Sequence, residues 1–211
     1  MKTDLKVLYF GTPVVLISTR NEDGTANLAP MSSAWWLGQE AVLGMGNSSQ
    51  TTANLARERE CVLNLVPSSL VSAIDNLAMT TGKHSVPEGK ARMGYRHVAD
   101  KFAHAGLNQQ ASELVWAPRV RQCPIQLEAK VTAIHPVGDL SASTIHVKVL
   151  RAHVEQELII PGTHYVDPEK WDPLIMKFCE FFGDGRNVAA SRLAEGWQMP
   201  HAAVGLSSAR V

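Results

Sequence analysis

Apolar and polar positions along this chain fall into short blocks rather than long periodic runs. PVVLISTR (13–20) is a β-branched run that stops at NEDG, a strong turn signal, and TANLA follows, which predicts a hairpin. SAWWL and AVLGMG, on either side of GQE, predict two further strands. SSQTTANLARERE (48–60) has Leu55 as its main apolar residue and gathers charge at its end, so it predicts a short surface helix capped by Ser48 or Ser49. CVLNLV (61–66) reads as a strand, and SSLVSAIDNLA as a helix on the spacing of Leu70, Ile74 and Leu77. Residues 80–97 follow neither period and read as a long loop; ADKFAHAGL reads as a short helix ending at Gly106.

Strict alternation begins at QLEAKVTAI (126–134), with Leu127, Ala129, Val131 and Ala133 on one face and Gln126, Glu128, Lys130 and Thr132 on the other. TIHVKVLRAHV repeats the pattern after the turn-like HPVGDLSAS, so the pair predicts two half-buried antiparallel strands. The tail predicts an amphipathic helix from about Trp171 to Phe182, closed by Gly183, with Trp171, Leu174, Ile175 and Phe178 on its apolar face. Many short strands with few helices make the fold mainly β with peripheral helices, a closed or nearly closed antiparallel barrel. There is no βαβ alternation and no glycine-rich fingerprint of a dinucleotide-binding sheet.

Composition narrows the function without naming it. The 211 residues suit one domain, and 20 basic against 20 acidic side chains provide no net field to draw the chain to nucleic acid or a membrane. No apolar run approaches the ~18 residues of a membrane span, and the first residues carry too short an apolar stretch for a secretory signal. Cys61, Cys123 and Cys179 are widely separated and odd in number, which predicts reduced thiols in a cytoplasmic protein. The eight histidines show no zinc-ligand spacing, and no GxSxG elbow is present. The residues present no side-chain nucleophile.

Two stretches suggest a ligand instead. NSSQTTANL (47–55) places Ser, Thr and Asn where a helix begins, and the unpaired N–H groups of a helix start suit a phosphate. ANLAPMSS (26–33) follows the first hairpin turn with small side chains, which lets a planar ring approach the backbone, and Met31 supplies an apolar contact to its face. Trp35 and Trp36 point to opposite faces of a strand, so one of them is a core residue.

With these residues in view, the chain resembles the flavin reductase-like, FMN-binding split-barrel family. The resemblance rests on VVLISTRNEDGTANLAPMSS, the TTANL segment with CVLNLV after it, DKFAHAGL, and WAPRVRQCPIQLEAKVTAI with its P-x-x-x-x-C-P-x-x-L-E pattern at 118–128, and it covers roughly residues 10–165. It implies one Greek-key split-barrel domain over 1–211, with a C-terminal helical extension from about residue 165. A homodimer with FMN near the subunit interface is also implied. By position, Asn27, Ala29, Met31, Ser32 and Ser33 would line the isoalloxazine, and Asn47, Ser49, Thr51 and Asn54 would face the ribityl chain and phosphate. Family members often start this helix with Lys-Asp-Thr and an asparagine beyond; here the threonine and asparagine are kept and the lysine is not. Arg57, another arginine, or the partner subunit would then have to supply the missing cation.

The function implied is an FMN-dependent oxidoreductase that takes a hydride from NADH or NADPH and passes electrons to an acceptor. Two other readings use the same stretches: a flavin-binding electron carrier without nicotinamide chemistry, and a barrel that has exchanged flavin for another ligand. His164, Tyr165 and Trp171 on one side, and the loop carrying Lys83, His84, Lys90, Arg92 and Arg96 on the other, are candidates to lean over the site.

Overall fold

Alternate residues of the first apolar run enter two different cores. In the computed structural model, which describes residues 2–189 and 191–200 apart from the side chain of Glu195, Val14 and Leu16 pack into one core and Val15 and Ile17 into the other. A strand buried on both faces needs no polar face, so PVVLI (13–17) is continuously apolar.

The elements run β1 (Phe10–Pro13), β2 (Val15–Arg20), β3 (Ala26–Met31), β4 (Ala34–Leu37), β5 (Glu40–Gly46), α1 (Gln50–Glu58), β6 (Glu60–Leu65), α2 (Val71–Ala78), β7 (Thr80–Thr81) and α3 (Glu88–Arg92). Then come β8 (Arg96–His97), α4 (Lys101–Ala105), β9 (Gln109–Gln110), β10 (Arg119–Val120), β11 (Ile125–Pro136), β12 (Ala142–Val154), β13 (Ile175–Lys177), β14 (Glu180–Phe182) and α5 (Arg192–Gly196). Seven strands form one antiparallel sheet in the order β3-β2-β6-β11-β12-β5-β4.

The edges of that sheet, β3 and β4, are consecutive in the chain and separated only by Ser32 and Ser33. Two residues reach about 7 Å, so the sheet has to curl until its edges stand side by side. The result is a split barrel, as the resemblance implies. Its interior is filled by Ile17, Leu43, Leu63, Ala129, Ile145 and Val147, closed at one end by Leu55 of α1. A second core lies outside the barrel, where Leu16 and Leu28 meet Ile74 and Leu77 of α2 and Phe102 of α4. Trp36 packs against the interior cluster while Trp35 is 56% exposed, the division that opposite strand faces require.

Three expectations need correction. Gln126 and Glu128 share a strand face with exposed Lys130 and Thr132, yet they are 5% and 0% exposed. Residues 111–120 cover them: Glu128 accepts from the N–H groups of Glu113 (2.9 Å), Leu114 (2.6 Å) and Val115 (3.2 Å) and meets His153 Nε2 at 2.6 Å. Gln126 donates to the carbonyls of Val120 and Cys123. Polar spacing cannot distinguish a solvated carboxylate from one satisfied by a loop.

The helix expected over Trp171–Phe182 is instead the hairpin β13–β14, with β13 also pairing β1. Its backbone is taken up by the neighbouring chain instead: Leu174 N–H bonds Val66 O, and Val14 N–H bonds Leu174 O. Phe178 and Cys179 make a two-residue turn at φ 48° and 68°, the left-handed conformation that such hairpins require. The only helix described beyond residue 165 is α5. The third correction concerns the loop at 80–97, which contains α3 and is closed at its base by the parallel pairing of β7 with β8.

Cys61 and Cys123 are buried and free, and burial pushes both thiols up to about 12. No helix among the described residues is long and apolar enough to cross a membrane, and no group of three or more metal-ligating side chains occurs among them.

Candidate functional site

Where the barrel edges meet, a cavity of about 190 Å3 opens between β3, the end of β5, the start of α1 and the end of α2. Ala29, Pro30 and Met31 form its floor, and Gly44 and Gly46 one wall. Gly44 is packed so closely that a Cβ there would lie 3.1 Å from Ser33 Cβ, and its N–H bonds Ser33 O at 2.8 Å. Small residues on both sides of the seam therefore expose backbone to the cavity.

The start of α1 supplies the polar wall through Ser49, Gln50 and Thr51. Ser49 caps the helix, its hydroxyl accepting from Thr52 N–H at 3.0 Å. The N–H groups of Gln50 and Thr51 have no acceptor among the described residues, so the positive end of the helix faces the cavity.

Asn27 and Asn54 are engaged with protein partners. They are 2% and 0% exposed. Asn27 Nδ2 donates to Thr19 Oγ1 (3.2 Å) and Thr51 Oγ1 (2.9 Å), while Asn54 Nδ2 donates to Thr19 Oγ1 and Asn21 Oδ1, each at 2.9 Å. Both asparagines lash α1 to the β2–β3 hairpin and so fix the helix start over the floor. Of the nine expected binding residues, Ala29, Met31, Ser49 and Thr51 line the cavity. Ser32 is buried in the seam, Ser33 Oγ lies 3.4 Å from Tyr9 Oη, and Asn47 is exposed and accepts from Ser143 Oγ at 2.7 Å.

Arg57 does not supply the cation missing from the helix start. It sits in the last turn of α1 and binds Glu58, Arg20 O and Asn54 Oδ1. Two lysines stand on the other side of the cavity: Lys101 of α4 and Lys90 of α3 both line it, and no Asp or Glu does. Lys101 is 3% exposed and has no hydrogen-bond acceptor or ion-pair partner among the described residues. Burial, and then the charge of Lys90, lower its pKa to about 8. Lys90 is lowered as well, by burial and then by Lys83, and its Nζ stands 5.5 Å from the centroid of the Tyr95 ring.

A buried ammonium without a partner is costly unless an anion answers it. Sequence pattern did not single out Lys101 as a ligand contact, although it lies within the DKFAHAGL stretch; the signal available was a lysine placed next to core residue Phe102 directly after the cap Asp100.

The cavity is smaller than the roughly 300 Å3 at which ligand pockets begin. It suits one part of an anionic, partly flat ligand, with the remainder lying outside it.

Comparison with known proteins agrees with this architecture. The uncharacterized protein YdfE of Bacillus subtilis (strain 168) is 38% identical over 191 residues, spanning 90% of this chain and 92% of that protein. An uncharacterized protein of Aquifex aeolicus is 26% identical, spanning 77% and 78%. Among solved structures, the flavoredoxin of Desulfovibrio vulgaris (Miyazaki F) superposes with a TM-score of 0.74 at 19% identity, covering 92% of this chain and all of that one (100%). Nitrilotriacetate monooxygenase component B from Bacillus cereus gives 0.70 at 19% identity, covering 86% and 88%. These structures share the fold. The flavin reductase like domain matches residues 7–168, and the chain belongs to that family.

Proposed function

We propose that the chain is an FMN-dependent oxidoreductase that draws electrons from NADH or NADPH. Family membership supports a flavin-binding, oxidoreductase-type function; the choice of FMN and of a nicotinamide donor is our reading. The observation that carries it is Lys101, a side chain 3% exposed that lines the cavity and has no acceptor among the described residues, beside the open N–H groups of Gln50 and Thr51.

The residues present suit a flavin nucleotide. The α1 start and the hydroxyls of Ser49 and Thr51 would take the phosphate, with Lys101 and Lys90 balancing its charge. Ala29, Met31 and Gly44 would leave room for the ring. When bound, the flavin would supply hydride acceptance and onward electron transfer. The chain's part is then to orient the ring, exclude water from one face and hold positive charge beside it. No acid–base pair among the lining side chains is needed for that.

A second copy of the chain would complete the enclosure. Trp35 and Leu37 on edge strand β4 are 56% and 74% exposed, and an uncovered apolar edge beside an incomplete cavity favours a homodimer.

The experiment is an absorbance spectrum of the purified protein, with mass identification of any released chromophore, followed by anaerobic mixing with NADH and with NADPH. Bleaching of bound FMN by either nucleotide is the expected result. Flavin that stays oxidised with both, yet is bleached by a reduced protein, would move the assignment to an electron carrier.

A further inference from the structure

Beyond the cavity lies a larger hollow of about 690 Å3 that takes no part in the flavin reading. It is bounded by the β2–β3 turn, the loop after β7 and the stretch from β8 to the start of α4, and it shares Gln50 and Gly82 with the cavity. Its lining is acidic. Glu22, Asp23 and Asp100 stand in it with no lysine, and the Arg20 guanidinium is already engaged, donating to the carbonyls of Trp116 and Gly24. Asp23 Oδ1 and Asp100 Oδ1 accept from the N–H groups of Thr25 and Ala103, each at 2.9 Å. The second oxygen of each, and both oxygens of Glu22, have no donor among the described residues. Such a lining concentrates cations.

Two imidazoles meet in the same hollow. His84, on the loop after β7, and His97 of β8 have ring centroids 5.2 Å apart at 56°. Neither ring has a hydrogen-bond partner among the described residues, where the imidazole bonds belong to His104 and His153. His97 Nδ1 is also shut off from solvent, so Nε2 is the nitrogen left to the hollow. A half-buried ring with no partner on either nitrogen calls for a ligand. With metal–nitrogen bonds of about 2.1 Å, two imidazoles on one tetrahedral ion have centroids about 5 Å apart. Separation alone does not single out this pair, because His135 and His146 stand at 5.3 Å on the outer face of β11 and β12. What the hollow adds is enclosure and three carboxylates.

We propose that His84 and His97 form a binding site for a divalent first-row transition metal ion. Imidazole nitrogens suit zinc, copper and nickel rather than magnesium or calcium. No third His, Cys, Asp or Glu joins them as a direct ligand among the described residues, so water fills the remaining positions. The carboxylates then act through that water, accepting its hydrogen bonds and balancing the ion's charge. The ion pins residue 84 to β8, and the loop between them carries Lys90 and Tyr95 into the cavity. The site does not depend on the flavin reading.

The test is a calorimetric titration of the full chain with zinc chloride. It compares wild type with His84→Ala and His97→Gln, and with two controls, His135→Ala and Cys179→Ser, the latter at an exposed thiol. The expected result is a zinc site whose affinity falls more than about tenfold in His84→Ala and in His97→Gln, since even an outer partner of a metal ligand is worth that much. Both controls keep the wild-type affinity. If His97→Gln does not fold, His84→Ala decides, because His84 is exposed and its loss spares the core. Cobalt gives a second reading: the visible bands of a bound tetrahedral ion appear in wild type and not in His84→Ala. Zinc binding that is absent, that is indifferent to the His84 and His97 variants, or that is lost in a control overturns the site.

Discussion

Asn27 Nδ2 donates to Thr51 Oγ1 at 2.9 Å, a bond between the floor strand β3 and the first turn of α1. It holds the open N–H groups of the helix start at a fixed place over the small-residue floor. Asn27→Ala removes this bond and the one to Thr19, at a cost of about 2 kcal/mol for buried polar partners left without a donor. Chemical denaturation would register that loss, and flavin titration a weaker site. A variant as stable as wild type would mean that the lashing is dispensable.

Lys101 ties stability and binding to pH in opposite senses. Its pKa falls from 10.5 to about 8 on folding, so between those values the unfolded chain holds the extra proton and stability rises with pH. Below pH 8 the full penalty applies, on the order of 3 kcal/mol. Lys101→Met should therefore stabilise the ligand-free protein at neutral pH and flatten the rise above pH 8. Anion binding should weaken over the same interval as the ammonium deprotonates. Melting curves of the apo proteins from pH 7 to 10 check the first statement, and phosphate titrations the second.

Glu128 behaves as an internal anion for the 113–115 loop. Burial alone would raise its pKa, but the N–H groups of Glu113 and Leu114 and the His153 side chain outweigh it and hold the carboxyl below its usual value of 4.5. Its stabilisation is present above that usual value and is lost as pH falls through the lower, folded value. Glu128→Gln leaves N–H groups competing for a weaker acceptor and should cost about 3 kcal/mol at pH 7. Urea midpoints that coincide for the two proteins at pH 7 would refute the clamp.

The hairpin at Phe178–Cys179 is open to a direct check. Cys179 has φ 68°, so Cys179→Gly relieves left-handed strain and should stabilise the protein by about 1 kcal/mol. In a helix the same change would destabilise, by about 0.3 kcal/mol.

How much of this was legible from sequence varies with the kind of interaction. Strands and turns were readable because NEDG after PVVLISTR and the alternation at 126–134 are local signals. The segment from Trp171 departs from the expected helix: its apolar spacing at Leu174, Ile175 and Phe178 suits a helix, while the bonds of Leu174 to Val66 and Val14, more than a hundred residues away in sequence, decide for strand. Ala29, Met31, Ser49 and Thr51 were found at the cavity because a floor needs small residues and a helix start needs a cap. Asn27 and Asn54 carry the same polar chemistry as binding residues, and only their partners place them in the frame. Lys101 escaped because its significance lies in having no acceptor, which is a property of the packed structure.

The most direct measurement is an equilibrium titration of wild type and Lys101→Met with FMN at pH 7. The account predicts a saturable flavin site in wild type that weakens about ten- to a hundredfold in the variant, the value of one charge-assisted contact, while the variant remains folded. Equal affinity in the two proteins would contradict it.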